Sequence, residues 1–594
     1  MSPKVLKIPQ SILIIGIMIL PLWFLPFTEN YYETNIWLLL TVLALITLIT
    51  AALELIASEK ISISFSPTGA GLLALALASG ISSGIIAPNK FASLYTPLGV
   101  GTYLCIAIIL IFGKPLLTHR QLGLLKIGAV IIAGVSGLIV IYQQLGLGKM
   151  LMPNAVYLHD TLWTPIGTPI AFLVFACLMI PTIGHMIAVA WKEKHELAVG
   201  IFTIIAIILG IGIGLTVWRF LPKISTSIMS MPMAWNIMLE TWKTWKSALF
   251  GVSADNFIQA FTMGKPLWVN MTSYWNINFG TSATTLFHNA TIFGLCGLIA
   301  TIYLGFQLIK GYGKGWQKIY AIIAITLILL APPSLMLYIS LMIMALTNEQ
   351  TKVWTGTLKT WNSVGIALFI GVVILSSGYG LSRWYMSEIT FNQALNAIRE
   401  NNGTKAYTLE ASAIKLNPYN GYFREMFAQT NLSMVSSFLA SIKKDEKGAP
   451  VMTDEEKQTI TSLISQAIRE GKNATSLNPT SVIAWATLGA IYQNLMGVAA
   501  DADTWAIASY QKALALDPSN PVLYLDMGGI YMSGNKYEEA MKQFMTAAQV
   551  KPNYPNAFYN IANIWRLSRN KENAKKTLNQ VRQLIQKTVQ TMKK

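Results

Sequence analysis

Three short stretches near the C-terminus share one pattern that indicates the fold of this region: WATLGAIY (485–492), YLDMGGIY (524–531) and FYNIANIW (558–565). Each begins and ends with an aromatic residue and has Gly or Ala at its fifth position. A proline precedes each first aromatic by six residues. Because proline ends a helix and a small residue lets a second helix approach, this spacing predicts consecutive helical hairpins.

The pattern closely resembles the tetratricopeptide repeat (TPR). The step from Pro518 to Pro552 is 34 residues, which is the length of one such repeat. A single hairpin cannot bury its apolar face, so the repeats are expected to stack into an α-solenoid. We assign residues 385–594 to this TPR domain, with residues 405–437 as a degenerate first unit. The resemblance implies that its groove binds one or more protein partners.

The remainder of the chain has the composition of a membrane protein. The whole chain of 594 residues is 53% hydrophobic and 12% charged, whereas soluble proteins have about 25% charged residues. This excludes a wholly soluble enzyme, a disordered chain and a small disulfide scaffold. Apolar stretches of about 20 residues predict 10 or 11 spans in residues 1–384. The fold class is therefore all-α, a polytopic helical membrane domain followed by the TPR α-solenoid.

The distribution of Lys and Arg among the short loops predicts the orientation. The N-terminus and the loops around residues 114–126, 192–194 and 310–318 are rich in lysine, which is typical of cytoplasmic loops. The longest loop, 219–285, then lies outside. Pro332-Pro333 either kinks one long helix, which puts the TPR domain in the cytoplasm, or separates two short helices, which puts it outside. Lysines in the loop 348–360 favour the second arrangement.

The outer loop 219–285 contains several short motifs. Between Trp235 and Leu249, apolar residues including Trp242 recur at helical spacing, which predicts one amphipathic helix at the lipid–water boundary. The sequence Gly251-Val252-Ser253-Ala254-Asp255 follows, and Phe287-His288-Asn289 precedes Gly294-Leu295-Cys296-Gly297. This order resembles the O-antigen ligase and polymerase family of bacterial membrane glycosyltransferases, some of which carry a C-terminal TPR domain. Relative to the family pattern, Ala254 replaces the second glycine of the loop element, and His288 lies closer to the helix glycine.

The resemblance implies an activity and a set of site residues. The protein would act in the cytoplasmic (inner) membrane and transfer a polyprenyl-diphosphate-linked glycan to an extracytoplasmic acceptor, without metal or cofactor. A diphosphate requires cationic contacts, and an acceptor hydroxyl requires a base such as histidine. Carried over to this chain, Arg219 and Lys223 contact the diphosphate, Lys265 is a weaker candidate, and His288 is the catalytic base.

Simpler roles and two other functions stay open. Arg219 at a span end could contact lipid head groups, Lys265 could be solvated in a loop, and His288 could satisfy polar groups at a helix start. The chain could instead be a non-enzymatic, membrane-anchored TPR scaffold for an envelope complex. A glycan or lipid transporter is a further alternative, although few ionisable residues lie within the predicted spans, where transporters usually place them. No feature points to a nucleic-acid partner.

Overall fold

A computed structural model describes residues 3–151, 155–313, 315–349, 351–441, 452–497 and 499–592. The chain divides into two compact units. The first comprises Met1–Phe257 and Phe279–Ile389, and the second comprises Ile258–Asn278 and Thr390–Lys594. A segment of the long loop therefore belongs to the same unit as the C-terminal residues.

The first unit is built mainly from apolar helices. Seven helices of the described residues are long and apolar enough to cross a membrane: Glu33–Ser58, Pro67–Ile85, His119–Gln144, Pro169–Lys192, Glu196–Lys223, Gly294–Tyr312 and Thr360–Arg399. Four further apolar helices are shorter, at Ile8–Leu22, Val100–Leu116, Gly315–Leu330 and Leu335–Asn348. The number of spans, 10 or 11, stays a prediction.

In chain order the α-helices of this part of the chain are α1 (Pro3–Ile19), α2 (Glu33–Ser58), α3 (Pro67–Ile85), α4 (Lys90–Tyr95), α5 (Val100–Ile108), α6 (Lys114–Leu116), α7 (His119–Gln144), α8 (Leu147–Leu151), α9 (Pro169–Lys192), α10 (Glu196–Phe220), α11 (Ile224–Ser227), α12 (Met231–Thr241), α13 (Trp245–Phe250), α14 (Phe257–Gly264), α15 (Thr285–Ile292), α16 (Gly294–Tyr312), α17 (Lys318–Leu330), α18 (Leu335–Asn348) and α19 (Thr360–Arg399).

Two features of this unit were not expected or were left open by the sequence. The pair Pro332-Pro333 separates two helices, α17 and α18, and does not kink a single one. Two short strands, β1 (Lys60–Phe65) and β2 (Lys352–Thr357), form an antiparallel ribbon. The register pairs Lys60 with Thr357 and Phe65 with Lys352. The ribbon joins segments that are almost three hundred residues apart in sequence.

The lysine-rich loops of the first unit contact one another. The Lys114 ammonium donates hydrogen bonds to the backbone carbonyls of Ala345 (2.7 Å) and Glu349 (2.6 Å). The rings of His185 and Trp316 stack with centroids 3.8 Å apart, and the Lys126 ammonium lies 5.7 Å from the Trp316 ring. Three of the segments that the sequence assigns to the cytoplasm, at 114–126, 310–318 and 348–360, are therefore linked by contacts at one end of the helices.

The amphipathic stretch of the long loop is divided. We expected one helix from Trp235 to Leu249, but α12 ends at Thr241 and α13 begins at Trp245. The indole of Trp242 donates a hydrogen bond to the Ala290 carbonyl, 3.0 Å away. Thr244 caps α13 by accepting the amide of Ser247. The expectation of one continuous helix was wrong because Trp242 turns towards α15 instead of continuing the apolar face.

The second unit is a series of helical hairpins. Its helices after α19 are α20 (Gly403–Leu416), α21 (Gly421–Ser441), α22 (Asp454–Leu477), α23 (Val482–Asn494), α24 (Ala502–Leu516), α25 (Pro521–Ser533), α26 (Tyr537–Val550), α27 (Pro555–Leu567) and α28 (Lys571–Met592).

The small residues of the repeat pattern allow close packing within the hairpins. A Cβ added at Gly528 would lie 2.4 Å from the Phe544 ring, and one added at Gly489 would lie 2.9 Å from the Tyr510 ring. Both rings are buried. Asn520 begins α25 as an N-cap, since its side-chain oxygen accepts the amide of Val522 at 3.0 Å. The predicted helical hairpins are thus formed by the residues that predicted them.

Candidate functional site

A cavity of about 350 Å³ lies in the first unit, where several loops meet. Helices α9 and α18 both begin at this cavity, while their other ends lie towards the lysine-rich loops. Two parts of the long loop 219–285, which is predicted to lie outside, therefore line this cavity. Its lining residues come from segments 30–36, 166–171, 227–229, 281–282 and 332–336.

The N-termini of three helices give the cavity its polar character. Thr168 caps α9 by accepting the amide of Ala171 at 3.2 Å, and Ser334 caps α18 by accepting the amide of Met336 at 3.2 Å. Helix α2 begins there with Glu33. Helix N-termini carry partial positive charge, and Glu33 contributes a carboxyl group. The cavity thus combines polar groups with apolar side chains such as Ile36.

His288 lies behind one wall of this cavity. Its side chain is buried, with 3% of its surface exposed, and its ring lies 4.8 Å from that of Phe257. Its Nδ1 accepts the backbone amide of Ser282 at 3.5 Å, and Ser282 lines the cavity. The hydroxyl of Ser282 is also buried and has no hydrogen-bond partner within the described part of the chain. His288 is therefore one residue removed from the cavity and does not line it.

The structure does not bring Arg219 or Lys223 to His288. Both side chains are exposed. The Arg219 guanidinium lies 4.8 Å from the ring of its neighbour Trp218. Neither residue lines the cavity. The roles of Arg219, Lys223 and His288 in one site stay predictions.

A buried serine next to the loop glycine was missed by the sequence reasoning. Ser253 is fully buried and has φ +77°, which L-residues rarely adopt. Its hydroxyl bonds to the hydroxyl of Ser93 at 2.9 Å and donates to the Asp255 carboxylate at 2.6 Å, while its amide donates to the Ile292 carbonyl at 2.9 Å. The residue with glycine-type backbone is thus Ser253 and not Ala254. The alternating Gly251-x-Ser253 pattern is the signal that could have indicated it.

This serine network fixes the loop to α15. Gly251 has φ +73°, and a Cβ there would lie 2.3 Å from the backbone of Ile292. Burial raises the pKa of the Asp255 carboxyl group, although the hydrogen bond from Ser253 opposes this shift. The network places a carboxyl group and two hydroxyl groups together, but its evident contribution is to hold the segment 249–257 against the end of α15.

The fourth predicted site residue, Lys265, belongs to the second unit. It lies in the segment Ile258–Asn278, which we call the strap. The strap contacts the turns between the last hairpins. The side-chain amide of Asn270 donates to the carbonyls of Ser519 (2.8 Å) and Val550 (3.1 Å), and the Lys551 ammonium donates to the carbonyl of Asn270.

Lys265 and Lys551 form a buried charged cluster with Asp517. Lys265 is 8% exposed, and burial lowers its pKa while Asp517 opposes this. Burial and the neighbouring Lys265 also lower the pKa of Lys551 to about 8. The Lys551 ammonium lies 4.5 Å from the centroid of the Trp275 ring, which packs 5.5 Å from that of Tyr554. The expectation that Lys265 acts on a diphosphate stays untested, and its observed contacts are with the repeats.

Comparison with known proteins identifies the repeats. Residues 528–564 match the family model of the TPR repeat, so the chain contains a TPR repeat. Across the described residues, no group of three or more His, Cys, Asp or Glu side chains is arranged to hold a metal ion. These comparisons give no support to the resemblance with O-antigen ligases, which stays a hypothesis.

Similar proteins cover limited parts of the chain. A peroxisomal targeting signal receptor of Candida albicans is 25% identical over 144 residues, which are 24% of this chain and 23% of the receptor. The chain therefore spans less than a quarter of that receptor's length. Among solved structures, MamA is 18% identical, with 33% of this chain and 96% of MamA covered and a TM-score of 0.26. A thermophilic TPR protein of Thermus thermophilus is 16% identical, with 34% and 94% covered and a TM-score of 0.25.

Proposed function

We propose that this protein is a membrane-anchored interaction protein that binds a protein partner through its TPR array on the extracytoplasmic side. The TPR repeat at residues 528–564 carries the proposal. Stacked helical repeats form extended concave surfaces suited to binding other chains. The apolar helices of the first unit supply the anchor.

The paired strands support the proposed orientation. Strands β1 and β2 must lie on the same side of a membrane, so the chain between them crosses an even number of times. Six predicted spans lie between the strands, at α3, α5–α6, α7, α9, α10 and α16. An even total therefore requires that α17 and α18 together contribute two crossings or none. Lysines in the neighbouring loops favour the cytoplasm for the ribbon, and α19 then leads outwards.

The strap supports the same orientation independently. Its contacts with residues 519 and 550 support a shared side for the outer loop and the repeats. Between residues 278 and 390 the chain passes through α16, the pair α17 and α18, and α19, which again gives an even number. We therefore place the loop 219–285 and the TPR array together on the outer side of the cytoplasmic membrane.

A photocrosslinking experiment tests partner binding. The full chain would carry p-benzoylphenylalanine at Tyr559, which is exposed on α27, the first helix of its hairpin. A control chain would carry it at Lys542, which is exposed on α26, a second helix. We expect one discrete protein crosslinked from position 559 and not from 542. The same products from both positions, or none from either, would contradict the proposal.

A second candidate function is glycosyl transfer of the O-antigen ligase type. The cavity favours it, because two parts of the long loop 219–285 line it and Ser282 links its wall to His288. In this hypothesis Arg219 and Lys223 neutralise the diphosphate leaving group, with Lys265 a weaker contributor, and His288 accepts the proton of the acceptor hydroxyl. Because His288 is buried, the segment at Ser282 must move before an acceptor reaches it.

Glycan transfer in a deletion host tests this second function. His288→Ala and Arg219→Ala would be compared with His195→Ala and Arg120→Ala, which alter exposed residues of the same types in predicted cytoplasmic loops. Loss of transfer in the first pair alone, with accumulation of the lipid-linked glycan and unchanged protein abundance, is the expected result. Full activity of all four variants would remove the assigned site. Absence of transfer by the wild type would leave the interaction function alone.

A further inference from the structure

We propose that residues 258–278 form a strap by which the TPR array holds the outer loop. Release of the strap from the array would free this segment of the loop. The contacts made by the strap within the second unit carry this inference. It goes beyond the proposed function, because it holds whether or not the chain is a transferase.

The strap is seated on the turns between hairpins. The seat comprises five residues in two successive turns and the helix ends beside them. Because these residues lie between the hairpins, occupation of the seat leaves the first helices of the array available to a partner. The seat residues are Asp517, Ser519, Val550, Lys551 and Tyr554.

Asn270 is the residue of the strap that the seat recognises most specifically. It is fully buried, as is its neighbour Val269. Its carboxamide nitrogen has two donor hydrogens, and these reach the carbonyls of Ser519 and Val550 in separate turns. The backbone carbonyl of Asn270 accepts a hydrogen bond from the Lys551 ammonium. Neither an aspartate nor an alanine has a side-chain donor for the two carbonyls, so both substitutions would remove these hydrogen bonds.

The charges in the seat make the attachment releasable. Lys265 and Lys551 are both more than nine-tenths buried, and among the described residues Asp517 is the acidic side chain that acts on Lys265. Burying two cations against one carboxylate is unfavourable. The hydrogen bonds of Asn270 and the packing of Trp275 on Lys551 and Tyr554 offset this cost. A docked segment that combines specific hydrogen bonds with unbalanced buried charge is suited to reversible release.

Attachment has a direct consequence for the loop. The strap begins immediately after Phe257, which packs on His288, and ends immediately before Phe279. The repeats therefore hold the middle of a loop whose flanking residues belong to the candidate site region. A change in the last two hairpins that loosens the seat would increase the motion of these flanking residues.

Hydrogen exchange of the full chain in lipid nanodiscs tests the strap. Asn270→Ala removes two hydrogen bonds, one of them buried, so we expect the amides of residues 267–272 to exchange roughly 10- to 100-fold faster than in the wild type. Asn276→Ala is the matched control, because Asn276 lies in the same strap but is exposed. Its exchange should equal that of the wild type, and α23 should be unaffected in both variants.

Two results would overturn the proposal. One is equal exchange of the strap in Asn270→Ala and Asn276→Ala, and the other is wild-type exchange of residues 267–272 at the rate of an unprotected peptide. If Asn270→Ala unfolds the whole array, Trp275→Leu decides the matter, because Trp275 is only half-buried. Faster exchange limited to the strap in Trp275→Leu would support the proposal, and unchanged exchange would overturn it.

Discussion

The adjacent glycines Gly528 and Gly529 in α25 should respond in opposite directions to the same substitution. A Cβ at position 528 would lie 2.4 and 2.7 Å from two carbons of the Phe544 ring. Phe544 is 1% exposed and packs in a buried cluster, so its ring has little room to move. A Cβ at position 529 would have Gln493 Nε2 as its nearest neighbour, 4.0 Å away.

The expected magnitudes follow from two opposing terms. Replacing a glycine by alanine inside a helix stabilises it by about 1 kcal/mol. Forcing an extra carbon into a packed core costs about 1–3 kcal/mol. Gly529→Ala should therefore stabilise the hairpin by up to about 1 kcal/mol, and Gly528→Ala should destabilise it by up to about 2 kcal/mol net.

Local hydrogen exchange in α25 and α26 of the full chain gives the free energy of opening for both variants. The two adjacent substitutions share helix propensity, hairpin and assay, so their difference isolates the contact with Phe544. Equal free energies of opening for Gly528→Ala and Gly529→Ala would refute the assignment of Gly528 as the position where the two helices approach.

Two further predictions concern acidity and the loop. Burial raises the pKa of Glu425 and of Glu410 to about 7. The stability that the fold gains from protonation of these carboxyl groups is therefore fully present below the unfolded pKa near 4.5 and is lost as pH rises through 7. The free energies of opening of α20 and α21, measured by hydrogen exchange, should rise on acidification from pH 8 to pH 5. Glu425→Gln removes up to about 3 kcal/mol of ionisation cost at pH 8 and should make this pH dependence weaker. An unchanged pH dependence in Glu425→Gln would contradict the burial argument. Gly251→Ala should lower the stability of the first unit by about 3 kcal/mol or more, because its Cβ would meet the backbone of Ile292 at positive φ. Protease resistance of the loop and the thermal midpoint would measure this effect, and Gly280→Ala, with no described atom within 4 Å, should leave both unchanged.

The repeats could be predicted from sequence because their contacts are local. The small residue of YLDMGGIY meets Phe544 of the next helix, only sixteen positions away. Such spacing recurs from hairpin to hairpin, so the pattern in the sequence is also the packing rule. The proline break between α17 and α18 is local in the same sense, and the lysines of the loop 348–360 favoured the two separate helices that the structure has.

The ribbon and the strap could not be predicted because their partners are distant in sequence. Ile61 pairs with Gly356, and Asn270 binds turns at residues 519 and 550. No periodicity connects such segments. The division of the amphipathic helix was missed for a related reason, because the hydrogen bond of Trp242 to Ala290 depends on how α15 is placed.

The candidate site was only partly predictable. The sequence placed His288 in the outer loop region, and the structure links it to a cavity through Ser282. The sequence did not indicate that His288 is buried or that Lys265 contacts the repeats. Residue type and spacing identify side chains that can perform a reaction, while burial and orientation depend on long-range packing.

The side of the membrane on which the repeats lie is tested most directly by cysteine labelling. In a chain without its three native cysteines, single cysteines would replace Asn276 in the strap, Lys536 in the array and Thr355 in β2, all of which are exposed. A membrane-impermeant maleimide added to spheroplasts should label positions 276 and 536, and should label 355 only after the membrane is opened. Labelling of 536 together with 355, and not with 276, would contradict the shared outer location of the loop and the TPR array.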